Sequence, residues 1–337
     1  MRGQLRIRSA LAILLGAACV LVCASPAAAA PPAPAGVPGG AADPGSTVVS
    51  GAARGAAGGA PETTDATRAA EVPETCPEGG NECVDGTIAE LTARFGALGR
   101  ACGHHATFAL AYLRTTQGYR WSRDQDGFFA DPRWVNREGA LFAEYYYRAY
   151  DDWAAGRRSA VPLAWLAALD AARDRRLTGA GDLMLGMNAH INRDLPYVLE
   201  RVGLTAPDGS SRKPDHDRVN EILAGLVDPL FAELVARYDP AGFDVGIAPA
   251  MVLELIVAWR EQAWRNAVRL ATAPTPFARA LVEADIESSA AATAAGLAAL
   301  TSYVPPFTGP EARAAHCAAH HADPPPAAYP FGVPPAY

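Results

Sequence analysis

This chain of 337 residues is poor in lysine, in long apolar runs and in basic charge. Lys213 is the single lysine among 29 basic residues, and no segment after residue 30 reaches the roughly 18 uncharged apolar residues that a membrane span needs. The chain also lacks a glycine-rich phosphate-binding loop and a Gly-x-Ser-x-Gly motif. These absences argue against a transmembrane protein, a P-loop nucleotide-binding protein and an α/β serine hydrolase.

The first thirty residues have the composition of an export signal. Arg2, Arg6 and Arg8 supply the positive start, residues 11–22 form a short apolar core, and small residues lead to a cleavage site near Ala30. We therefore predict a secreted protein without a transmembrane anchor.

The remaining chain is acidic. Removing the three arginines of the signal lowers the formal net charge from −7 to −10. Because phosphate backbones are bound by concentrated positive charge, we do not expect nucleic acid as the partner. A small molecule or a lipid fits this composition better, and the sequence identifies no protein partner.

Four cysteines remain after cleavage, an even number that predicts two disulfides in an oxidising compartment. The favoured pairing joins Cys76 to Cys83 across a small loop and Cys102 to Cys317 over a long stretch of chain. A zinc site is the alternative. Its ligands would come from Cys102, His104 or His105, Cys317 and His320.

Composition divides the mature chain into three parts. Residues 31–75 contain no aromatic residue and consist mainly of Ala, Gly, Pro and Thr, so they cannot bury enough apolar surface to fold and predict a disordered linker. Residues 76–321 have the length of a single domain. Residues 322–337 form a proline-rich tail, expected to be extended or loosely docked.

The domain has apolar residues at helical spacing and no strand-like alternation. This pattern predicts an all-α fold, a single bundle of roughly seven helices with a kinked central helix. The predicted helices cover residues 87–117 (with breaks at its glycines), 136–153 (capped by Asn136), 161–176, 181–202, 215–238 (or 217–238), 249–270 and 276–300.

The most informative segment is 187–196, which places polar side chains in an otherwise apolar helix. His190 and Asp194 are four residues apart, so they lie on one face of the helix, and Asn188 and Asn192 form a second such pair. Pro196 lacks an N–H and clashes with the preceding turn, which predicts a kink. An imidazole and a carboxylate beside a kink suit a metal site or an acid–base site.

With its string His-Ile-Asn-Arg-Asp-Leu-Pro, this segment resembles an actinobacterial family of helical proteins that is defined only as a domain of unknown function. The resemblance covers about residues 85–270 and implies an important central helix, but no activity. It is carried further by His105, Phe108, Tyr112, Asp131, Pro132, Trp134, Val135, Phe142, Ala143 and Tyr146.

The pair His190 and Asp194 is also similar to the His-x-x-x-Asp helix of secreted zinc-dependent phospholipases C and related single-strand nucleases. No histidine follows Pro196 at the distance found in that family, and no second pair of this kind exists. A complete trinuclear zinc site is therefore not expected, and a smaller metal site is left as one of the alternatives.

The best candidate site combines His105, His190 and Asp194 as ligands of zinc or another divalent metal. Asp131 would be a further ligand or the catalytic base. This arrangement predicts a metal-dependent hydrolase that acts on an ester or phosphoester outside the cell.

The alternative is a non-catalytic extracellular or envelope binding protein, in which His190 and Asp194 are a buried structural pair. It would use its aromatic residues and the kinked helix to hold a small apolar ligand or a partner. The polar side chains beside the pair are the expected ligand-binding residues: Asn188, Asn192 and Arg193. Elsewhere, His216 lies at a helix start, where its acidic neighbours are expected to raise its pKa.

Overall fold

The computed structural model describes residues 72–243 and 248–334, which form an all-α fold without a β-strand in those ranges. The linker residues up to 71 and the export signal lie outside the described part of the chain. Ten helices follow one another: α1 (Asn81–Arg100), α2 (Ala106–Arg123), α3 (Pro132–Ala154), α4 (Leu163–Arg173), α5 (residues 179–202), α6 (Lys213–Arg237), α7 (Pro240–Phe243), α8 (Pro249–Ala271), α9 (Pro276–Leu300) and α10 (Pro310–His320).

The all-α prediction is confirmed, although the described residues form ten helices rather than about seven. The region predicted as 87–117 is two helices, α1 and α2, with Cys102 between them at a positive φ of 50°. The short α7 and the C-terminal α10 were not predicted. The starts of α8 and α9 were correct, since Pro249 and Pro276 occupy first turns, where a proline loses no helical hydrogen bond.

The predicted start of α3 at Asn136 is wrong. Asp131 is the N-cap, because its carboxylate accepts from the Trp134 backbone N–H at 3.0 Å, and Pro132 opens the helix. Asn136 lies one turn inside the helix, fully buried, where it accepts from the Tyr119 hydroxyl at 2.6 Å. An asparagine that looks like a cap in the sequence is thus a buried polar residue.

Helix α5 is the centre of the bundle, and its kink is a change of helix type. Residues Gly179–Asn188 are α-helical, Ala189–Asp194 form a π-helical turn, and Leu195–Val202 return to α-helix. Pro196 has no N–H to give to the preceding turn, and the Leu195 N–H reaches back five residues to the His190 carbonyl. The wider turn therefore absorbs the proline without ending the helix.

Both predicted disulfides are present. Cys76 pairs with Cys83, and Cys102 pairs with Cys317, so none of these sulfurs is free to bind zinc. The second bond ties the start of the bundle to α10. Disulfides of this kind form in oxidising compartments. None of the helices in the described ranges is long and apolar enough to cross a membrane.

The described part of the tail, residues 322–334, packs on the bundle through Tyr329. This side chain is buried, and its hydroxyl donates to Glu233 at 2.7 Å. Glu233 is itself paired with Arg114 at 2.8 Å in the interior. The tail thus covers a buried ion pair between α2 and α6.

The two disulfides should differ in their effect on stability. On the chain-entropy model, removing the bond that closes 215 residues costs about 5 kcal/mol, against about 2 kcal/mol for the bond that closes 7. We expect the double variant Cys102→Ala/Cys317→Ala to lose more free energy of unfolding than Cys76→Ala/Cys83→Ala. Urea unfolding of the two matched variants checks this, and equal losses would contradict it.

Candidate functional site

The carboxylate of Asp194, at the end of the π-helical turn, is completely buried. The Trp165 indole N–H of α4 donates to its Oδ2 at 2.8 Å, and Arg193 donates to its Oδ1 at 3.0 Å. His190 Nδ1 lies 3.3 Å from the same Oδ2. All three partners are donors, so Asp194 acts as the acceptor and Nδ1 of His190 carries the hydrogen.

Aromatic side chains pack around the His190 ring. Phe142 of α3 stacks on it in parallel with the centroids 3.4 Å apart, and Tyr112 of α2 packs edge-on at 4.6 Å. Burial lowers the pKa of His190, and the hydrogen bond to Asp194 only partly offsets this. The imidazole is therefore neutral at neutral pH, and its Nε2 is a hydrogen-bond acceptor.

His190 lines a cavity of about 160 Å³ between α2, α3, α5, α6 and α8. Most of its wall is apolar and comes from residues such as Phe108, Leu183, Leu226 and Ile256. Nε2 of His190 is one of the few buried side-chain atoms without a hydrogen-bond partner within the described ranges. An unpaired buried acceptor costs free energy, and it belongs here to a residue that lines the cavity.

A second polar group lies in the same wall. Glu138 of α3 lines the cavity, is 5% exposed, and its Oε2 also has no partner among the described residues. Its Oε1 lies 3.8 Å from His216 Nδ1, and that nitrogen accepts from Arg260 at 3.2 Å. Arg260 lines the cavity too and also donates to Asn220 at 2.8 Å. The wall therefore holds a carboxylate and a guanidinium around a buried histidine.

Gly139, which follows Glu138, lines the cavity in the middle of α3. A Cβ at this position would meet no atom within 4 Å, and its φ is not in the left-handed region. Glycine inside a helix is about 1 kcal/mol less stable than alanine. Neither backbone geometry nor a close neighbour requires glycine here, and the space that a side chain would fill beside the cavity wall is left open.

The predicted metal ligand His105 has other partners. Its Nε2 lies 3.1 Å from the Leu169 carbonyl, and its ring packs against Tyr150 and Trp153. It does not line the cavity with His190. Burial lowers its pKa, so it is a neutral, packed histidine.

The predicted base Asp131 is the N-cap of α3, and its second oxygen accepts from Arg212 at 3.2 Å. It does not line the cavity either. Across the described residues there is no group of three or more His, Cys, Asp or Glu side chains placed to hold a metal ion. The structure thus joins His190 to Asp194 but brings neither His105 nor Asp131 to them.

The three predicted ligand-binding residues make contacts within the protein instead. Asn188 donates to the Ala290 carbonyl of α9 at 2.9 Å, and Asn192 donates to Asn188 at 2.9 Å. Arg193 pairs with Glu287 of α9 at 2.6 Å, besides its bond to Asp194. None of them lines the cavity. Their contacts fasten α5 to α9.

The expected rise in the pKa of His216 is wrong. The side chain is fully buried, and burial together with the nearby Arg260 lowers its pKa, outweighing Glu138 and Asp217. Its acidic neighbour Asp215 instead accepts from the backbone N–H groups of Ala130 and Asp131, at 2.8 and 2.7 Å. Burial was not visible in the local sequence.

Sequence reasoning missed Glu138, Gly139 and Arg260 as cavity residues. Glu138 lies four residues before Phe142, so both are on one face of α3, and a carboxylate on an aromatic face is a detectable signal. Gly139 gives a second signal, because it interrupts a helix that has no need of flexibility. Arg260 gave none, since arginines are frequent throughout the chain.

Residues 84–300 match the model of a family described as a family of unknown function, DUF5995. The chain belongs to this family. No curated protein and no solved structure matches the chain. The DUF5995 region contains all five helices that enclose the cavity, whereas α10 and the tail lie beyond it. The cavity is thus built entirely from the part of the chain that the family defines.

The lowered pKa of His190 predicts that stability depends on pH in a defined direction. The unfolded chain binds a proton at His190 near pH 6.5, whereas the folded chain binds it only at lower pH. The contribution of neutral His190 to the free energy of unfolding is therefore full above about pH 6.5 and is lost as the pH falls below this value. We expect the free energy of unfolding to fall less with decreasing pH in His190→Gln than in the unaltered protein. The difference should reach up to about 1.4 kcal/mol for each unit by which the fold lowers the pKa of His190.

The measurement is urea unfolding at about pH 7.5 and about pH 5.5, on either side of the unfolded pKa. His216→Gln should also reduce the pH dependence, because burial lowers the pKa of His216 as well. If His190→Gln had the same pH dependence as the unaltered protein, His190 would not be held neutral by the fold.

Proposed function

We propose that the protein binds a small, largely apolar molecule in the cavity between α2, α3, α5, α6 and α8. The observation that carries this proposal is the largely apolar cavity itself, which is lined by His190 and Glu138, two buried residues that each have a polar atom without a partner. Its volume of about 160 Å³ is suited to a single ring, since an apolar cavity of about 150 Å³ in another protein binds benzene.

Two features support binding over a simple packing defect. Gly139 widens the cavity although alanine would fit and would stabilise α3. The wall is also rigid where the polar atom lies, because Asp194, Phe142 and Tyr112 fix the His190 ring. A site whose polar group is held in place before the ligand arrives loses little entropy on binding.

We also propose that the protein works outside the cytoplasm, after removal of about thirty residues. The two disulfides support this, as do Arg2, Arg6 and Arg8 before the apolar run at 11–22. In this setting, the ligand is a small molecule, or the apolar part of a lipid, that reaches the protein from the surrounding medium.

A hydrolase that acts on an ester or phosphoester is the second candidate. One observation favours it: His190 is a neutral histidine oriented by a carboxylate, its Nε2 has no partner, and the residue lines a cavity, which are features of a general base. Zinc or another divalent metal at His190 and Asp194 has less support, because Nδ1 and both oxygens of Asp194 already have partners.

The binding proposal predicts that toluene raises the melting temperature of the protein. A ligand at 100 times its Kd adds about 2.7 kcal/mol of stability. In Gly139→Leu the new side chain occupies the cavity, so the variant should fold but show no shift with toluene. Gly86→Leu is the matched control, since Gly86 is also a helical glycine with open space around its Cβ but does not line the cavity.

Differential scanning calorimetry with and without toluene measures both effects. Binding in the cavity predicts a shift in the unaltered protein and in Gly86→Leu, and none in Gly139→Leu. An equal shift in the two variants would place toluene elsewhere, and no shift in any of the three proteins would contradict the proposal.

The hydrolase candidate has its own test. If His190 acts as a base, cleavage of a para-nitrophenyl acetate probe should fall at least about a hundredfold in His190→Gln and in Asp194→Asn, following the usual contribution of a general base. The control is His105→Gln, which changes a half-buried histidine outside the cavity. Equal rates in all four proteins would remove the hydrolase from consideration.

A further inference from the structure

Two histidines of the C-terminal helix α10 lie side by side on the surface of the bundle. His316 and His320 are four residues apart on one face of the helix, and their ring centroids are 4.5 Å apart. The His320 side chain is 45% exposed, and His316 is half-buried. Neither residue lines the cavity. Both are thus accessible to an ion from the medium.

Hydrogen bonds leave one nitrogen of each neutral ring unprotonated. His316 Nε2 lies 2.8 Å from the Ala236 carbonyl of α6, so Nε2 carries the hydrogen and Nδ1 keeps its lone pair. His320 Nδ1 lies 2.8 Å from Asp323 Oδ2, so Nδ1 donates and Nε2 keeps its lone pair. Among the residues that the structure describes, no hydrogen bond occupies either lone pair.

This pattern of partners is the one that metal-binding histidines have. A histidine that binds a metal almost always donates its other N–H to a carboxylate, a backbone carbonyl or a water, because that bond fixes the tautomer and raises the basicity of the ligating nitrogen. His316 donates to a carbonyl and His320 donates to a carboxylate. Both rings are therefore oriented by a second group before any ion arrives.

The spacing of the two rings fits one shared metal ion. A metal at about 2.1 Å from a ring nitrogen lies about 3.2 Å from the centroid of that ring. Two rings at a right angle around the metal then have centroids about 4.5 Å apart, whereas a tetrahedral angle needs about 5.2 Å. The observed 4.5 Å matches the right angle. Right angles are typical of tetragonal Cu(II) and Ni(II), and tetrahedral angles of zinc.

The charges at this end of α10 favour a cation. His320 is the last residue of the helix, where the aligned peptide dipoles place partial negative charge. The Asp323 carboxylate adds a full negative charge beside it. The chain as a whole also has a net negative charge, which raises the local concentration of cations.

We propose that His316 Nδ1 and His320 Nε2 bind a divalent transition-metal ion, Cu(II) in preference to Ni(II) and Zn(II), with water in the other coordination positions. Asp323 is a positioning residue that orients His320. With two protein ligands, this site is smaller than the groups of three or more that are absent from the described residues. It needs neither Cys102 nor Cys317, which are joined in a disulfide, and it does not rest on the proposed function.

Isothermal titration with Cu(II), Ni(II), Zn(II) and Mg²⁺ tests the site. Affinity should fall in the order Cu(II), Ni(II), Zn(II), and Mg²⁺ should not bind, because it prefers oxygen ligands. The double variant His316→Gln/His320→Gln should bind one Cu(II) fewer per chain than the unaltered protein. This difference excludes copper that binds elsewhere on the chain.

Single variants assign the roles. Asp323→Ala should raise the Kd for Cu(II) about tenfold or more, as expected when the partner of a ligand is removed. His316→Gln and His320→Gln should each raise it further, because each removes a ligand. His321→Gln is the matched control, since it changes the adjacent, half-buried histidine, and it should leave the Kd unchanged.

Electron paramagnetic resonance of the Cu(II) complex should show hyperfine coupling to imidazole nitrogen, and this coupling should be absent from the double variant. Equal copper binding by the unaltered protein and the double variant would overturn the proposal. Zn(II) binding more tightly than Cu(II) would contradict the right-angle geometry, and an equal loss in His321→Gln would contradict the choice of ligands. A Cu(II) spectrum without nitrogen coupling in the unaltered protein would overturn the site even if a variant failed to fold.

Discussion

The buried carboxylate of Asp194 is the contact on which the arrangement of this bundle most depends. It accepts hydrogen bonds from Trp165 of α4, from Arg193 and from His190, and Arg193 continues the connection to Glu287 of α9. A buried charge is tolerated only when it is paired, and removing one partner of such a group typically costs 3–5 kcal/mol. One carboxylate thus joins three helices and, at the same time, fixes the direction in which the His190 imidazole points.

The π-helical turn links this contact to the cavity. Pro196 cannot donate to the preceding turn, so residues Ala189–Asp194 widen into a five-residue hydrogen-bonding pattern. Within that turn, His190 Nδ1 faces Asp194 while the ring reaches Phe142 and Tyr112 and lines the cavity. The π-helical turn that Pro196 imposes therefore contains His190, a polar residue in the wall of a largely apolar cavity. Strain and unsatisfied polar groups of this kind tend to occur at binding sites.

Local features were predictable from the sequence, and features that depend on distant packing were not. Pro249 and Pro276 identified helix starts, and His190 with Asp194 identified the central pair, because both inferences need only spacing along one helix. Asp131 was ambiguous, since a carboxylate before Pro132 suits a cap and a ligand equally well. The pKa of His216 could not be inferred from its acidic neighbours, because burial by other helices has the larger effect. The cavity forms where five helices meet, and no single segment of the sequence indicates that meeting point.

The central claim is that the fold holds His190 neutral, with the hydrogen on Nδ1 and an unpartnered acceptor at Nε2. The most direct test is nitrogen NMR of the protein labelled with nitrogen-15 in its histidines, at neutral pH, with His190→Gln used to assign the His190 signals. The account predicts a protonated, pyrrole-type shift for Nδ1 and an unprotonated, imine-type shift for Nε2. Two pyrrole-type shifts, which indicate an imidazolium, or the opposite tautomer would contradict it.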